Sequence, residues 1–94
     1  MVYMLVRHKV KDYAKWKPIF DQHGATRRAG GSRGATLFRS HDNPNEIVIL
    51  FEWTDATKAR QFADSKNLRE TMERAGVVNK PDVVVLDSLE KVPV

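Results

Sequence analysis

The segment Glu46–Trp53 is the sequence feature that most limits the fold of this chain. Its sequence, EIVILFEW, has the length and the β-branched and aromatic content of a strand. Alternation along a strand places Ile47, Ile49, Phe51 and Trp53 on one face, and Val48 and Leu50 with Glu52 on the other. A strand with one face in water should carry polar residues on that face. This segment, and VVVLDSL near the C-terminus, therefore predict a sheet that is covered on both faces.

The other segments alternate between strand and helix patterns. Further strands are predicted at 2–10, 35–41 and 82–89, and the turn residues at 42–45 make the second and third strands a hairpin. The element order is β-α-β-β-α-β. This order predicts one ferredoxin-like α+β domain over residues 1–94, with a four-stranded antiparallel sheet and both helices on one face.

Capping residues and breakers set the predicted helix limits. Asp12 is an N-cap, but Pro18 suits a first turn and favours a main helix that begins near Trp16, after a single turn at Asp12–Lys15. The glycines of 30–34 end this first helical segment. The second helical segment is predicted to begin at Thr54 or Asp55, to break at Ser65 or Asn67, and to end at Gly76.

Two helices cover only one face of such a sheet, and a second copy of the chain is the simplest cover for the other. Leaving about five large apolar side chains in water costs about 1.5–3 kcal/mol for each. We therefore expect a homodimer packed sheet against sheet.

Composition excludes several classes of protein. The chain has 94 residues and no cysteine, which excludes disulfide scaffolds, cysteine-based zinc sites and thiol nucleophiles. No apolar run is long enough for a membrane helix, and the N-terminus does not resemble a signal peptide, so a cytoplasmic protein is expected. Residues 1–39 hold nine Lys and Arg against two Asp. This basic half favours an anionic partner, but no nucleic-acid module is recognisable and nucleic acid is not the expected ligand.

The chain resembles a known group of proteins. The element order, the two-faced strands, the sequence EWTD at 52–55 and the following pattern A..F..S..L...M..AGV resemble the dimeric α/β-barrel superfamily, and within it the antibiotic-biosynthesis-monooxygenase-like branch. DYAKWKPIFDQH and RAGVVNKP are similar to small members labelled cyclases or monooxygenases. The resemblance covers essentially the whole chain. It implies a ligand pocket between the helices and the sheet of each subunit.

Only some of the functional residues of these families are present in this chain. Haem-degrading members use an Asn on the first strand, a Trp at the end of the third strand and a His on the following helix, and only Trp53 matches. Quinone-forming members pair that Trp with an Asn four residues earlier, where this chain has Ile49. Haem degradation is therefore disfavoured, and cofactor-free oxygenation lacks one polar partner.

Helical spacing indicates which side chains are candidates for catalysis and ligand binding. His23 and Arg27 follow Phe20 on the predicted inner face of the first helix. His23 is a candidate general base, with a helix-end hydrogen bond as the alternative, and Arg27 is a candidate holder of an anionic oxygen, with a solvent or acid contact as the alternative. Candidate ligand-binding residues are Phe20, Trp53, His41, Arg39, Phe62 and Met72.

Each of these residues also has a structural interpretation. The aromatic residues and Met72 can be plain core, His41 can simply begin the turn, and Arg39 can pair with Glu52 or Asp87. His8 shares a face with apolar residues and is interpreted as a core or dimer-interface histidine. The three histidines lack metal-ligand spacing, so no metal and no cofactor are expected.

The predicted function is to bind a small aromatic or polyketide-like molecule, with cofactor-independent cyclase, isomerase or monooxygenase chemistry as its extension. Two alternatives stay open. One is a non-catalytic dimeric ligand-binding or stress-related module. The other is polyanion binding through the basic N-terminal half.

Overall fold

The computed structural model describes residues 2–94. Four strands and four helices follow one another as β1 (Val2–Lys9), α1 (Tyr13–Gln22), α2 (Gly24–Gly30), β2 (Ser32–Arg39), β3 (Glu46–Trp53), α3 (Ala56–Ala63), α4 (Lys66–Ala75) and β4 (Asp82–Asp87). The strands form one antiparallel sheet in the order β2-β3-β1-β4. The predicted ferredoxin-like fold class is confirmed, with each predicted helical segment divided into two helices.

Side-chain caps explain where three of the helices begin. Asp12 accepts a hydrogen bond from the backbone N–H of Ala14, and Asp55 accepts from the N–H groups of Thr57 and Lys58. Ser65 accepts from the N–H of Leu68 and caps α4, so the predicted break in the second helical segment is confirmed. Each cap satisfies N–H groups that have no partner within the helix.

The predicted start of the first helix near Trp16 is wrong. Helix α1 begins at Tyr13 and contains Pro18 in its interior. The backbone oxygen of Asp12 accepts hydrogen bonds from the N–H groups of Lys15 and Trp16, so the first turn is already helical before the proline. The packing of Trp16 in the core offsets the hydrogen bond that Pro18 cannot donate.

Two strands have ends that differ from the predicted ones. Strand β2 begins at Ser32 and ends at Arg39, earlier at both ends than the predicted 35–41, because the chain pairs with β3 as soon as Gly31 has turned in the left-handed region. Strand β4 ends at Asp87 and not at residue 89. Strand β3 has the predicted limits.

One face of the sheet forms the core with the helices. The buried residues of β1 and β3 on this face pack with Trp16, Ala59, Phe62 and Ala75 from the helices. Register places the other set of side chains on the opposite face, where no helix lies. The apolar side chains of that open face are Tyr3, Leu5, Phe38, Val48, Leu50, Val84 and Leu86, and they share the face with charged side chains that include Arg7, Glu46 and Glu52. Phe38 is 52% exposed and Val84 is 49% exposed.

Candidate functional site

A cavity of about 630 Å³ lies between the helices and the sheet. Its walls are largely apolar and aromatic, with Trp16, Phe20, Phe51 and Phe62 among the lining side chains. The ring centroids of Trp16 and Phe20 are 4.8 Å apart and the rings are stacked, while Phe20 and Phe51 are 6.2 Å apart. Such a cavity is of the size and character that bind small planar molecules.

His23 lies at the junction of α1 and α2, and its side chain is buried on the cavity wall. Its Nε2 lies 2.5 Å from the side-chain oxygen of Asn67 on α4. The amide oxygen of Asn67 only accepts hydrogen bonds, so Nε2 of His23 is the donor in this contact and Nδ1 is the ring nitrogen left for a ligand. The contact with Asn67 holds the orientation of the His23 ring.

Arg27 contributes a half-buried cation to the same cavity. One guanidinium nitrogen donates a 2.7 Å hydrogen bond to the backbone oxygen of Phe20, and the guanidinium carbon lies 3.9 Å from the centroid of the Phe20 ring. Burial lowers the pKa of Arg27, and the charge of Asp21 opposes this effect. Within residues 2–94, no carboxylate forms an ion pair with this guanidinium. Its remaining N–H groups suit an anionic oxygen of a ligand.

His8 is a third polar group on the cavity wall. The side chain is 3% exposed, and its Nδ1 has no hydrogen-bond partner among the described residues. Its ring meets Trp16 edge to face, with centroids 5.6 Å apart. Burial lowers the pKa of His8 to about 4, so the imidazole is neutral at physiological pH.

Charged side chains mark the opening of the cavity. The exposed charged residues that line the cavity are Arg60, Asp64, Arg69 and Lys80. The three cations among them form no ion pair with any carboxylate of residues 2–94. An excess of positive charge at the opening attracts anionic ligands.

The structure brings most of the predicted site residues to one cavity. His23, Arg27, Phe20, Phe62 and Met72 all line it. This places the predicted inner face of the first helix against the cavity, although the helix is broken at His23.

Three predicted residues lie elsewhere. Trp53 is fully buried and contacts Phe62 at a centroid distance of 5.1 Å, but it does not line the cavity. His41 is exposed in the turn after β2. Arg39 stacks on the ring of Tyr13 at 5.4 Å.

The expected pairing of Arg39 with Glu52 or Asp87 is wrong. Register places Arg39 opposite Ile47 on the helix side of the sheet and Glu52 on the open face, so these two side chains point in opposite directions. Asp87 is on β4, at the far edge of the sheet from β2. The aromatic face of Tyr13 is the nearer partner for the guanidinium.

Sequence reasoning missed three groups. His8 and Phe51 line the cavity, and Asn67 forms the hydrogen bond with His23. Trp16, which also lines the cavity, was a candidate pocket wall from its place in the helical spacing. The alternation of β1 and β3 identified His8 and Phe51 as inward-facing, which was the available signal. Nothing in the spacing of Asn67 indicates that it meets a side chain 44 positions earlier in the chain.

The described part of the chain contains no cluster of three His, Asp or Glu side chains that suits a metal ion. None of its helices is long and apolar enough to cross a membrane.

Sequence comparison finds no matching family model and no matching curated protein. Comparison of structures does find proteins with a similar fold. SnoaB, a cofactor-independent oxygenase from Streptomyces nogalater, superposes with a TM-score of 0.77 at 19% identity, over 98% of this chain and 96% of that one. The chain has the fold of the antibiotic biosynthesis monooxygenases.

Two further solved structures superpose on this chain with similar scores. One antibiotic biosynthesis monooxygenase gives a TM-score of 0.69 at 17% identity, over 96% of this chain and 100% of the other. Rv0793 from Mycobacterium tuberculosis gives 0.68 at 18% identity, over 96% of both chains. The antibiotic biosynthesis monooxygenase fold therefore spans nearly the whole chain, as the resemblance in sequence implied.

Proposed function

We propose that this protein binds a small, planar aromatic or polyketide-like molecule between its helices and its sheet, and removes a proton from it without a cofactor. The proposal depends on two polar side chains that line the same apolar cavity. One is the buried imidazole of His23, and the other is the half-buried guanidinium of Arg27, which has no acidic partner in residues 2–94.

The proposed chemistry assigns one role to each group. Nδ1 of His23 takes a proton from a phenol or from a C–H next to a carbonyl. Arg27 holds the oxygen on which the negative charge develops, in an apolar setting where that contact is strong. Asn67 positions His23 through the Nε2 hydrogen bond. Such a step is common to cyclisation, isomerisation and cofactor-independent oxygenation. The similar fold of SnoaB, a cofactor-independent oxygenase, supports this class.

Binding is tested first, with 2-naphthoate as the probe. Trp16 lines the cavity and Trp53 does not, so binding should change the fluorescence of Trp16. The signal should disappear in Trp16→Phe and persist in Trp53→Phe. Arg27→Gln should weaken binding about tenfold or more, whereas the matched variant Arg28→Gln, on an exposed neighbour outside this cavity, should not. A Kd that does not respond to Arg27→Gln would refute the assigned contact.

Proton removal is tested with 2-tetralone, a fused-ring ketone with an activated C–H. Its exchange with deuterium in D₂O, followed by NMR, should be accelerated by the protein. His23→Gln should reduce the exchange rate about a hundredfold or more, and Asn67→Ala should reduce it less. His41→Gln is the matched control, because His41 is exposed and outside the cavity. Binding of naphthoate without any accelerated exchange would favour the alternative, a non-catalytic ligand-binding module.

We also propose that the protein is a homodimer through the open face of the sheet. Phe38, Val84 and Leu86 are exposed on this face and adjoin the half-buried Leu5 and Leu50. A contiguous apolar surface of this kind is unusual on a monomer. Light scattering should give the dimer mass at micromolar concentration. Leu5→Lys should give a monomer, whereas Val78→Lys, at an exposed valine outside the sheet, should stay dimeric.

A further inference from the structure

The opening of the cavity carries three cations that the proposed proton transfer does not use. Arg60 lies on α3, Arg69 lies on α4, and Lys80 lies in the connection between α4 and β4. All three residues are exposed, whereas Arg27 of the same cavity is half-buried. Three separate elements therefore bring positive charge to a single opening, where a ligand can reach it.

Two of these cations do not form the ion pair that their own helix offers. Arg60 and Asp64 are four positions apart, as are Arg69 and Glu73, and this spacing commonly gives an ion pair on a helix. Neither arginine forms that pair within residues 2–94, although Lys66, on the same helix as Arg69, does pair with the acid at this spacing. The two arginines line the cavity instead. Their guanidinium groups are therefore available to a ligand.

The charges that line the cavity are strongly unbalanced. Among the described residues, this lining contains four Lys and Arg side chains and one carboxylate, that of Asp64. A ligand with a single acidic oxygen leaves an excess of two positive charges. A second anionic group at the opening reduces this excess further, and it meets side chains that keep most of their hydration because they are exposed.

The apolar lining of the cavity continues to its opening. Val83 and Val85 lie on the helix side of β4, and both line the cavity. Val83 is 42% exposed, and it lies three positions after Lys80 in the chain. Burial of the Val83 side chain favours a ligand whose apolar body is long enough to reach this edge. The far end of such a ligand lies among the cations of the opening.

We propose that the ligand is a dianion, and that Arg60, Arg69 and Lys80 are specificity-determining residues that bind its second anionic group at the opening. This inference rests on the proposed function, because it concerns the same cavity. It narrows the ligand class to elongated fused-ring aromatic molecules with two separate charged contacts. One acidic oxygen lies at Arg27, and a carboxylate or phosphate group lies at the opening.

Isothermal titration calorimetry with matched probes tests the inference. The probes are naphthalene-2,6-dicarboxylate, its 2,7 isomer and the monomethyl ester of each, so that each pair has nearly the same shape and differs by one negative charge. At neutral pH and low ionic strength, the wild-type protein should bind at least one diacid about fivefold more tightly than its monoester. The preference should shrink in about 0.5 M NaCl, because salt screens exposed ion pairs.

Variants of the three cations locate the preference. The triple variant with Arg60→Gln, Arg69→Gln and Lys80→Gln should lower the ratio of the two Kd values to about one, and each single variant should lower it in part. Arg74→Gln is the matched control, since it removes an exposed arginine of α4 that lies outside the cavity, and it should keep the preference. Thermal unfolding establishes that the triple variant folds, and the single variants serve if it does not.

The outcomes separate the two proposals. Equal affinity for each diacid and its monoester, with 2-naphthoate still bound, overturns the second anionic contact and leaves the proposed function in place. A preference that persists in the folded triple variant, or that Arg74→Gln also removes, overturns the assignment to these three residues. Failure of 2-naphthoate and of all four probes to bind overturns the proposed function, and the second anionic contact with it.

Discussion

The buried imidazole of His8 makes the stability of this protein depend on pH in a calculable way. Burial lowers its pKa to about 4 in the folded chain, whereas a histidine in the unfolded chain has a pKa of about 6.5. Above about pH 6.5 both states hold a neutral ring, and His8 adds no pH dependence. Between about pH 6.5 and pH 4 the unfolded chain binds a proton that the folded chain does not. Stability is therefore lost as the pH falls through this window.

The size of the effect follows from the two pKa values. Between about pH 7.5 and pH 5, this single group lowers the free energy of unfolding by about 2 kcal/mol. In a domain of this length, such a loss lowers Tm by about 10 °C. Other groups also titrate in this range, so the prediction concerns the difference between the wild-type protein and His8→Gln, which has no imidazole at this position.

Urea unfolding at a fixed protein concentration measures that difference. The wild-type protein should lose about 2 kcal/mol more than His8→Gln between about pH 7.5 and pH 5. An NMR titration of the His8 ring gives the pKa independently and should place it near 4. Parallel pH profiles for the two proteins would refute the argument, because they would mean that the folded chain tolerates a charged His8.

A proline, a glycine and a helix cap give three further predictions. Each is tested by measuring the free energy of unfolding in urea at neutral pH. Pro18→Ala should raise it by about 1–3 kcal/mol, since alanine restores a helix hydrogen bond; a decrease would mean that the proline ring itself stabilises α1. Gly31→Ala should lower it by about 1–2 kcal/mol, because φ is +114° and a Cβ would lie 3.0 Å from the Thr54 hydroxyl. Gly30→Ala is the matched comparison; it should raise stability by about 0.5–1 kcal/mol, and equal effects at both glycines would contradict the strain at Gly31. Asp55→Ala should lower stability by about 1–2 kcal/mol through the loss of the α3 cap, and no change would show that water replaces it fully.

Much of the fold was predictable because it depends on local signals. The period of two in 46–53 gave the limits of β3, and Ser65 and Gly76 marked a helix start and a helix end by their own chemistry. The start of α1 was not predictable from Pro18. The rule against proline in a helix competes with a cap at Asp12 and with the burial of Trp16, and their combined effect is decided by packing.

The candidate site was also predictable only in part. Helical spacing along 16–27 predicted that Phe20, His23 and Arg27 share one face, and all three line the cavity. The pairing of His23 with Asn67 depends on how α4 packs beside the junction of α1 and α2. No periodicity encodes such a contact between distant segments.

Alternation along the strands determined that His8 and Trp53 both point to the helix side of the sheet. It did not determine that His8 lines the cavity while Trp53 is enclosed beside Phe62. Both are inward-facing residues of neighbouring strands, and their local sequence patterns are equivalent. Where the cavity lies depends on where the helices leave the sheet uncovered. That gap results from the packing of α1 against α4 and of α2 against α3, so only the tertiary structure decides which buried side chains meet a ligand.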